Sequence, residues 1–218
     1  MQFGRIRELY ARTADDEIRM KSAATDWSDA CRRGFRGHRR LRSLTAIVKD
    51  YVRRHRHKTR RELRYFRNLP SLKAAITDAG LARRLDGERY KRYSHQRRIP
   101  RDALETAAAC LHRANLGSAR SFADLMARVS NAVGSVHGIG ELYIYDTALR
   151  LGGHLRLLPR EVYLHAGTRR GAQALGLDHR SDSVSPNQLP SVLRRLRPIE
   201  IEDVLCIYKD WLRSANGA

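Results

Sequence analysis

The sequence predicts an all-α fold, and three observations support this. Apolar residues recur at helical spacing, as Phe122, Leu125 and Val129 do. Residues that cap or start helices precede several of these segments, for example Ser121 and Pro198. No run of alternating apolar and polar residues is long enough to predict a sheet. With 218 residues, 42% of them hydrophobic, the chain is long enough to bury one sizeable core.

The predicted helices follow one another along the chain. Leu44, Ile47 and Tyr51 begin an amphipathic helix that runs into a cationic stretch. Pro100 starts a later helix, and Pro198 starts the last one. Acids in the first turns of that last helix interact favourably with the helix dipole. In order, helices are expected at 4–30, from 44 onward, and at 71–85, 100–115, 121–133, 141–152, 190–196 and 198–213, with a basic loop at 31–43 and a polar loop at 177–187.

Charge is the strongest feature of the composition. The net charge is +20, and residues 32–68 hold 15 Lys or Arg against two acids. Such a block indicates a polyanionic partner. Helices that bind an anionic membrane carry large apolar residues opposite the basic face, and few occur here. We therefore expect nucleic acid as the partner, contacted by Arg53, Arg54, Arg56, Lys58, Arg60 and Arg61.

The same basic run bears on both the kind of partner and the division of the chain. Its cations repel one another at i, i+4 by a few tenths of a kcal/mol per pair, and only Asp50 and Glu62 lie among them to relieve this. A solvated helix face and an acidic protein partner are the alternatives to nucleic acid. We expect a basic N-terminal helical region at 1–68 and a helical domain at 69–218.

A tight glycine turn joins the helices predicted at 121–133 and 141–152. Residues 136–140 are Val-His-Gly-Ile-Gly. Glycine permits positive φ and close backbone approach, and successive N–H groups at a helix start suit a phosphate. The pattern predicts a helix-hairpin-helix at 121–152, with nucleic acid bound by His137, Gly138, Ile139 and Gly140. A plain turn between two helices has the same pattern and stays open as the alternative.

Tyrosines alternate with cations just before Pro100. Tyr90 and Tyr93 are candidates to stack on unpaired bases while neighbouring arginines hold phosphate. A basic loop whose tyrosines pack on the core is the equal alternative. The candidates for nucleic-acid contact in this segment are Tyr93, Arg97 and Arg98.

Residues 99–176 resemble the helix-hairpin-helix DNA glycosylases of the endonuclease III type. The shared features are the glycine turn, a proline before an acid, and a basic helix that ends in Leu-Gly: Gly138-Ile139-Gly140, Pro159, Glu161, Arg169, Arg170 and Leu175-Gly176. The resemblance implies a glycosylase-like helical domain with a basic N-terminal extension. It also implies DNA contact by Arg169 and Arg170, and it places Glu161 where the family has its catalytic aspartate.

Two departures from this family limit the chemistry that it implies. The Schiff-base lysine of bifunctional members falls on Leu142 here, so β-lyase chemistry is not expected. Glu161 is one methylene longer than the family's aspartate. The three cysteines, Cys31, Cys110 and Cys206, are too scattered for a metal motif or an iron–sulfur cluster. The resemblance therefore implies the fold and DNA contact more strongly than catalysis.

The function expected from the sequence is sequence-tolerant or structure-specific DNA binding. One alternative is a monofunctional base-excision glycosylase in which Glu161 stabilises the oxocarbenium-like sugar. Another is an RNA-binding or ribosome-associated protein. We expect no cofactor and no metal. Because the sequence has no membrane-length apolar run and no signal-peptide core at Met1, we expect a cytoplasmic location.

Overall fold

The computed structural model describes residues 41–216. The helix predicted at 4–30 and most of the basic loop at 31–43 lie outside this range. The described chain is mostly helical, with nine α-helices and two small two-stranded sheets. None of these helices has the length and apolar character needed to cross a membrane. The helices are α1 Leu44–Arg54, α2 Arg56–Arg67, α3 Leu72–Gly80, α4 Arg101–Arg113, α5 Phe122–Val133, α6 Glu141–Leu155, α7 Ala166–Ala174, α8 Pro198–Ile207 and α9 Lys209–Asn216, and the strands are β1 Arg83–Asp86, β2 Arg89–Arg92, β3 Val162–Tyr163 and β4 Ser183–Val184.

The buried apolar side chains form two cores. The first lies among α3, α4, α5 and α6 and includes Leu104, Leu125 and Leu151, all fully enclosed. The second lies among α1, β3, α7, α8 and α9 and includes Ile201 and Leu205. The helical residues of both cores come from positions that recur at helical spacing, whereas Val162 and Val184 of the second core come from the short strands.

The two basic helices are packed against the rest of the chain. Helix α1 begins after Ser43, whose hydroxyl accepts a hydrogen bond from the N–H of Ala46 at 3.2 Å. It contributes Tyr51 to the second core, while α2 contributes Phe66 to the first and packs along α6. His55 separates the two helices. Residues 44–67 pack with both cores. The division of the chain into regions at 1–68 and 69–218 stays a prediction.

The predicted hairpin helices are present as α5 and α6. The hydroxyl of Ser121 accepts the N–H of Asp124 at 3.1 Å and so caps α5 as expected. Helix α6 continues three residues past its predicted end at 152. Gly152 lies inside the helix and does not end it. The absence of a side chain there lets the backbone of Leu157 come close. A Cβ at Gly152 would lie 2.2 Å from the carbonyl oxygen of Leu157.

Two small sheets occupy segments that were expected to be helical or irregular. Helix α3 stops at Gly80, and β1 then pairs antiparallel with β2 across a turn in which Gly87 has a φ of +67°. Strands β3 and β4 pair through Val162 and Val184. The expectation of no sheet is wrong in this detail, because strands of two to four residues are too short to show a periodic pattern.

Helices α7 and α8 approach closely where α7 carries Gly167 and Gly171. Small residues four apart predict such packing, and the structure confirms it. A Cβ at Gly171 would lie 2.2 Å from the carbonyl oxygen of Leu205, and one at Gly167 would lie 2.9 Å from the Sγ of Cys206. Any side chain at residue 171 therefore has to displace the backbone of α8.

We predict that Gly171→Ala lowers the free energy of unfolding by about 3 kcal/mol, because the added methyl group overpacks the contact with α8. Equilibrium unfolding in urea measures this. Gly140→Ala is the matched control, since a Cβ there meets nothing within 4 Å and the φ is −123°. Equal losses in the two variants, or a loss below about 1 kcal/mol for Gly171→Ala, contradict the packing.

Candidate functional site

The turn between α5 and α6 is an exposed corner, hereafter the hairpin corner, residues 136–140. His137, Gly138 and Gly140 are exposed, whereas Ile139 is half-buried against the first core. Gly138 has a φ of +83°, and the Ile139 N–H donates to the carbonyl of Val136 at 3.1 Å, which closes the turn. Within the described chain, the N–H groups of Gly138 and Gly140 donate no hydrogen bond. The corner thus presents unused amide donors beside the start of α6, as an anion site requires.

The segment that carries Arg97 and Arg98 leads directly into a contact with the hairpin corner. The Cδ of Pro100 is 3.6 Å from where a Cβ of Gly138 would lie, so the start of α4 packs against the turn. The segment that leads into α4 carries Arg97 and Arg98, and both side chains are exposed. The structure therefore joins the glycine turn to the segment of this arginine pair, two features that the sequence predicted separately, through the contact of Pro100 with Gly138.

Arg53 and Arg54 share one buried carboxylate. The Oδ1 of Asp50 lies 2.7 Å from Arg54 Nε and 3.1 Å from Arg53 Nη2, and the hydroxyl of Tyr208 donates to Asp50 Oδ2 at 2.8 Å. Burial opposes the charge of Asp50, but the hydrogen bonds from Tyr208 and the two arginines lower its pKa. The Arg53 side chain still keeps 70% of its surface exposed, so it is accessible to a ligand.

Arg56 and Arg60 pair with an acid that comes from the far end of the chain. The Oε1 of buried Glu200 lies 3.0 Å from Arg56 Nε and 3.6 Å from Arg60 Nη2. The expectation that only Asp50 and Glu62 relieve repulsion in this run is wrong, because tertiary packing places α8 beside it. Two further predicted contacts differ in exposure, with Arg61 exposed and Lys58 half-buried.

Tyr93 is buried, which contradicts its prediction as a residue that stacks on nucleic acid. Its side chain is 8% exposed, and the guanidinium carbon of Arg150 lies 3.8 Å from the centroid of its ring. Of the two alternatives for this segment, packing on the core is correct for Tyr93. Tyr90, three residues earlier, is 48% exposed.

Arg169 and Arg170 have different surroundings. The Nη1 of Arg169 donates to three successive backbone carbonyls, those of residues 179–181, at 2.7 to 3.3 Å. Its Nη2 lies 3.6 Å from Glu141. Arg169 therefore ties α7 to a loop and to the start of α6, and its contact with phosphate stays a prediction. Arg170 is 65% exposed and pairs with Asp210 at 3.1 Å.

Glu161 does not line the cleft that opens beside the hairpin helices. That cleft, of about 320 Å³, lies between α5, α6 and β3 and is lined in part by Tyr145, Tyr163 and His165. Glu161 precedes β3 and is half-buried, and it makes no hydrogen bond or ion pair with the described residues. Residues 41–216 also contain no group of three or more His, Cys, Asp or Glu placed to hold a metal ion. Base excision at Glu161 therefore gains no support from this cleft.

A buried charged layer surrounds Arg150, whose side chain is 1% exposed. Its Nε donates to Glu62 at 2.8 Å, its Nη1 donates to the side-chain oxygen of Gln96 at 2.8 Å, and its Nη2 lies 3.6 Å from Asp146. Asp146 also pairs with His95 at 2.6 Å. Burial opposes the charge of Asp146, but His95 and Arg150 lower its pKa. Only the i, i+4 spacing of Asp146 and Arg150 indicated any part of this layer in the sequence.

A second set of buried polar residues lies on α8. The Nε2 of His165 donates to Glu202 Oε1 at 2.6 Å. The hydroxyls of Tyr51 and Thr59 donate to Asp203 Oδ2 at 2.6 and 2.7 Å, and burial raises the pKa of Asp203 well above its usual value. From the sequence, these acids were expected only to interact with the helix dipole, because their partners lie far away along the chain.

The pair of His165 and Glu202 predicts a pH-dependent stability. Burial opposes the charge of His165, but the hydrogen bond to Glu202 and the charge of that carboxylate outweigh it and raise the pKa of His165 above 6.5. Because the folded pKa exceeds the unfolded one, the stabilisation is complete below the unfolded pKa and is lost as the pH rises through the folded pKa. Wild type should therefore exceed His165→Gln in stability by more at about pH 6 than at about pH 9.

His112→Gln is the control for this measurement, with the opposite sign. Burial lowers the pKa of His112, so wild type should lose stability relative to this variant as the pH falls below 6.5. Urea unfolding of the three proteins across this pH range measures both differences. A difference between wild type and His165→Gln that stays constant with pH contradicts the ion pair.

Comparison of the chain with protein-family models, curated proteins and solved structures finds no match. What this protein does has to be inferred from its own charge, burial and geometry. The hairpin corner and the arginine pair beside it are the features on which such an inference rests.

Proposed function

We propose that this protein binds DNA through the backbone phosphates, in a sequence-tolerant or structure-specific manner, with the hairpin corner as the central contact. The observation that carries the proposal is that the amides of Gly138 and Gly140 are unused and that Pro100, which follows exposed Arg97 and Arg98 in the chain, packs against Gly138. Amide donors and a helix start hold a phosphate, and the arginines add charge.

The basic helices extend this surface. Glu62 of α2 pairs with Arg150, ten residues after Gly140 on α6, which is about 15 Å along the helix axis. Exposed Arg53 and Arg61, on the two basic helices, are the proposed further contacts with phosphates of the bound duplex. The net charge of +20 supports this partner class.

Neutralising the arginine pair beside the corner tests the proposal. Arg97→Gln/Arg98→Gln should flatten the plot of log affinity against log salt concentration by about 2, since each phosphate contact contributes about 0.9 to the slope. Binding should weaken alike on duplexes of unrelated sequence, because phosphate contacts carry no sequence information. Fluorescence anisotropy of a labelled duplex, at salt concentrations from about 50 to 200 mM, measures the slope.

Arg194→Gln/Arg195→Gln is the matched control for this experiment. It removes the same charge from two exposed, adjacent arginines in a short 3-10 turn on the second core. The control should leave the slope close to that of wild type. Equal effects of the two double variants, or no duplex binding by wild type, refute the hairpin corner as the contact.

Base excision at Glu161 is the first alternative, and it predicts a different result. Because Glu161 lies outside the cleft, we expect no abasic sites above background on duplexes with damaged or modified bases, and we expect Glu161→Gln to bind duplex as wild type does. Alkaline cleavage of the incubated strands detects abasic sites. Abasic sites that form with wild type and disappear with Glu161→Gln would establish the enzyme instead.

RNA is the second alternative partner. Similar hairpin turns contact the RNA backbone, and electrostatic attraction does not distinguish the two nucleic acids. Competition at equal phosphate concentration separates them. If structured RNA displaces a labelled duplex more effectively than unlabelled duplex does, RNA is the preferred ligand.

A further inference from the structure

Two large hydrophobic side chains lie exposed on the hairpin formed by β1 and β2. Leu85 is 43% exposed and Tyr90 is 48% exposed, and the two residues are direct cross-strand partners. Directly opposed residues of an antiparallel pair project from the same face, so the two side chains form one apolar patch. In the described chain, Val52 on α1 is the other exposed large hydrophobic residue.

Cations lie beside the patch on its own face. The cross-strand pair two residues along the strands, Arg83 with Arg92, projects from the same face as Leu85 and Tyr90, whereas the pair between them, Arg84 with Lys91, projects from the other face. The guanidinium carbon of Arg83 lies 3.9 Å from the centroid of the Tyr90 ring, so the arginine covers one face of the ring. Such an arrangement suits a nucleotide, because the base can stack on the aromatic ring while the neighbouring cations attract its phosphate.

The base of this hairpin is fixed to the helical body. The hydroxyl of Tyr65 accepts the N–H of Leu85 at 3.0 Å and donates to Asp78. Asp78 also pairs with the Nε of Arg83 at 3.1 Å. The apolar patch is therefore held in place before any ligand binds, which reduces the entropy lost on binding.

One segment of the chain links the β1–β2 hairpin to the proposed phosphate contact. The Nη1 of Arg92 donates to the carbonyl of Ile99 at 3.4 Å, and the next residue, Pro100, packs against the turn at Gly138. The β1–β2 hairpin and the hairpin corner thus lie at the two ends of the segment that carries Arg97 and Arg98. A strand bound at the corner can follow these arginines toward Tyr90.

We propose that Tyr90 stacks on an unpaired base, with Leu85 in apolar contact beside it, so that the protein prefers DNA in which a few nucleotides are unpaired. This proposal rests on the proposed DNA binding and adds the class of DNA that is recognised. Stacking is tolerant of sequence because every base has a π face. The preference therefore concerns the structure of the DNA and not its base order.

Two fluorescent probes test this preference, an intact duplex and the same duplex with five central unpaired thymines. Wild type should bind the second probe at least about fivefold more tightly, the lower end of the effect of one stacked aromatic side chain. Tyr90→Ala should lose this preference and keep its affinity for the intact duplex. Tyr90→Phe should retain the preference, because the ring is kept. A 2-aminopurine placed in the unpaired stretch should be quenched by wild type and not by Tyr90→Ala.

Val52→Ala is the control for the loss of an exposed apolar side chain, and it should behave as wild type on both probes. Equal binding of the two probes by wild type, or a full preference in Tyr90→Ala, overturns the stacking role while leaving duplex binding intact. If wild type binds neither probe, the DNA-binding function itself fails. Thermal unfolding confirms that the variants compared are folded.

Discussion

The guanidinium of Arg150 is enclosed by Glu62, Gln96 and Asp146 and stacked on Tyr93, and these contacts join α2, α6 and the turn before α4. Removal of one partner from a buried ion pair costs about 3–5 kcal/mol, because the remaining charge is left without compensation. Since α6 begins at the hairpin corner, the contacts of Arg150 also fix the direction in which that corner faces. Gln96 accepts a hydrogen bond from Arg150, and this contact anchors the segment that continues into Arg97 and Arg98.

Burial divides the charge of this protein unevenly between interior and surface. Glu200, Glu202 and Asp203 are all less than one-tenth exposed, as are Asp50 and Asp78, whereas many of the arginines are exposed. Burial raises the pKa of Asp203 well above its usual value, and Glu200 offsets two arginines of α2. The surface is thus more cationic than an even distribution of the acids would make it. A polyanion would meet this field before it made any specific contact.

The helices and the hairpin corner could be predicted from the sequence because their signals are local. The hydroxyl of Ser121 caps α5 by accepting the N–H of Asp124, three residues later, and Gly138 adopts the positive φ that its turn requires. The surroundings of Tyr93 could not be predicted because Arg150 is distant in sequence, and those of Arg169 could not because its partners are backbone carbonyls of a loop. The β1–β2 hairpin was missed for a different reason, since four-residue strands rich in arginine carry no apolar alternation.

The central claim is that a phosphate binds at the amides of the hairpin corner, and backbone NMR of the ¹⁵N-labelled protein tests it most directly. On titration with a short duplex, the amide resonances of His137, Gly138, Gly140 and the first turn of α6 should show the largest shifts, and added salt should reverse them. Shifts confined to other parts of the chain, with the amides of Gly138 and Gly140 unmoved, would contradict the claim.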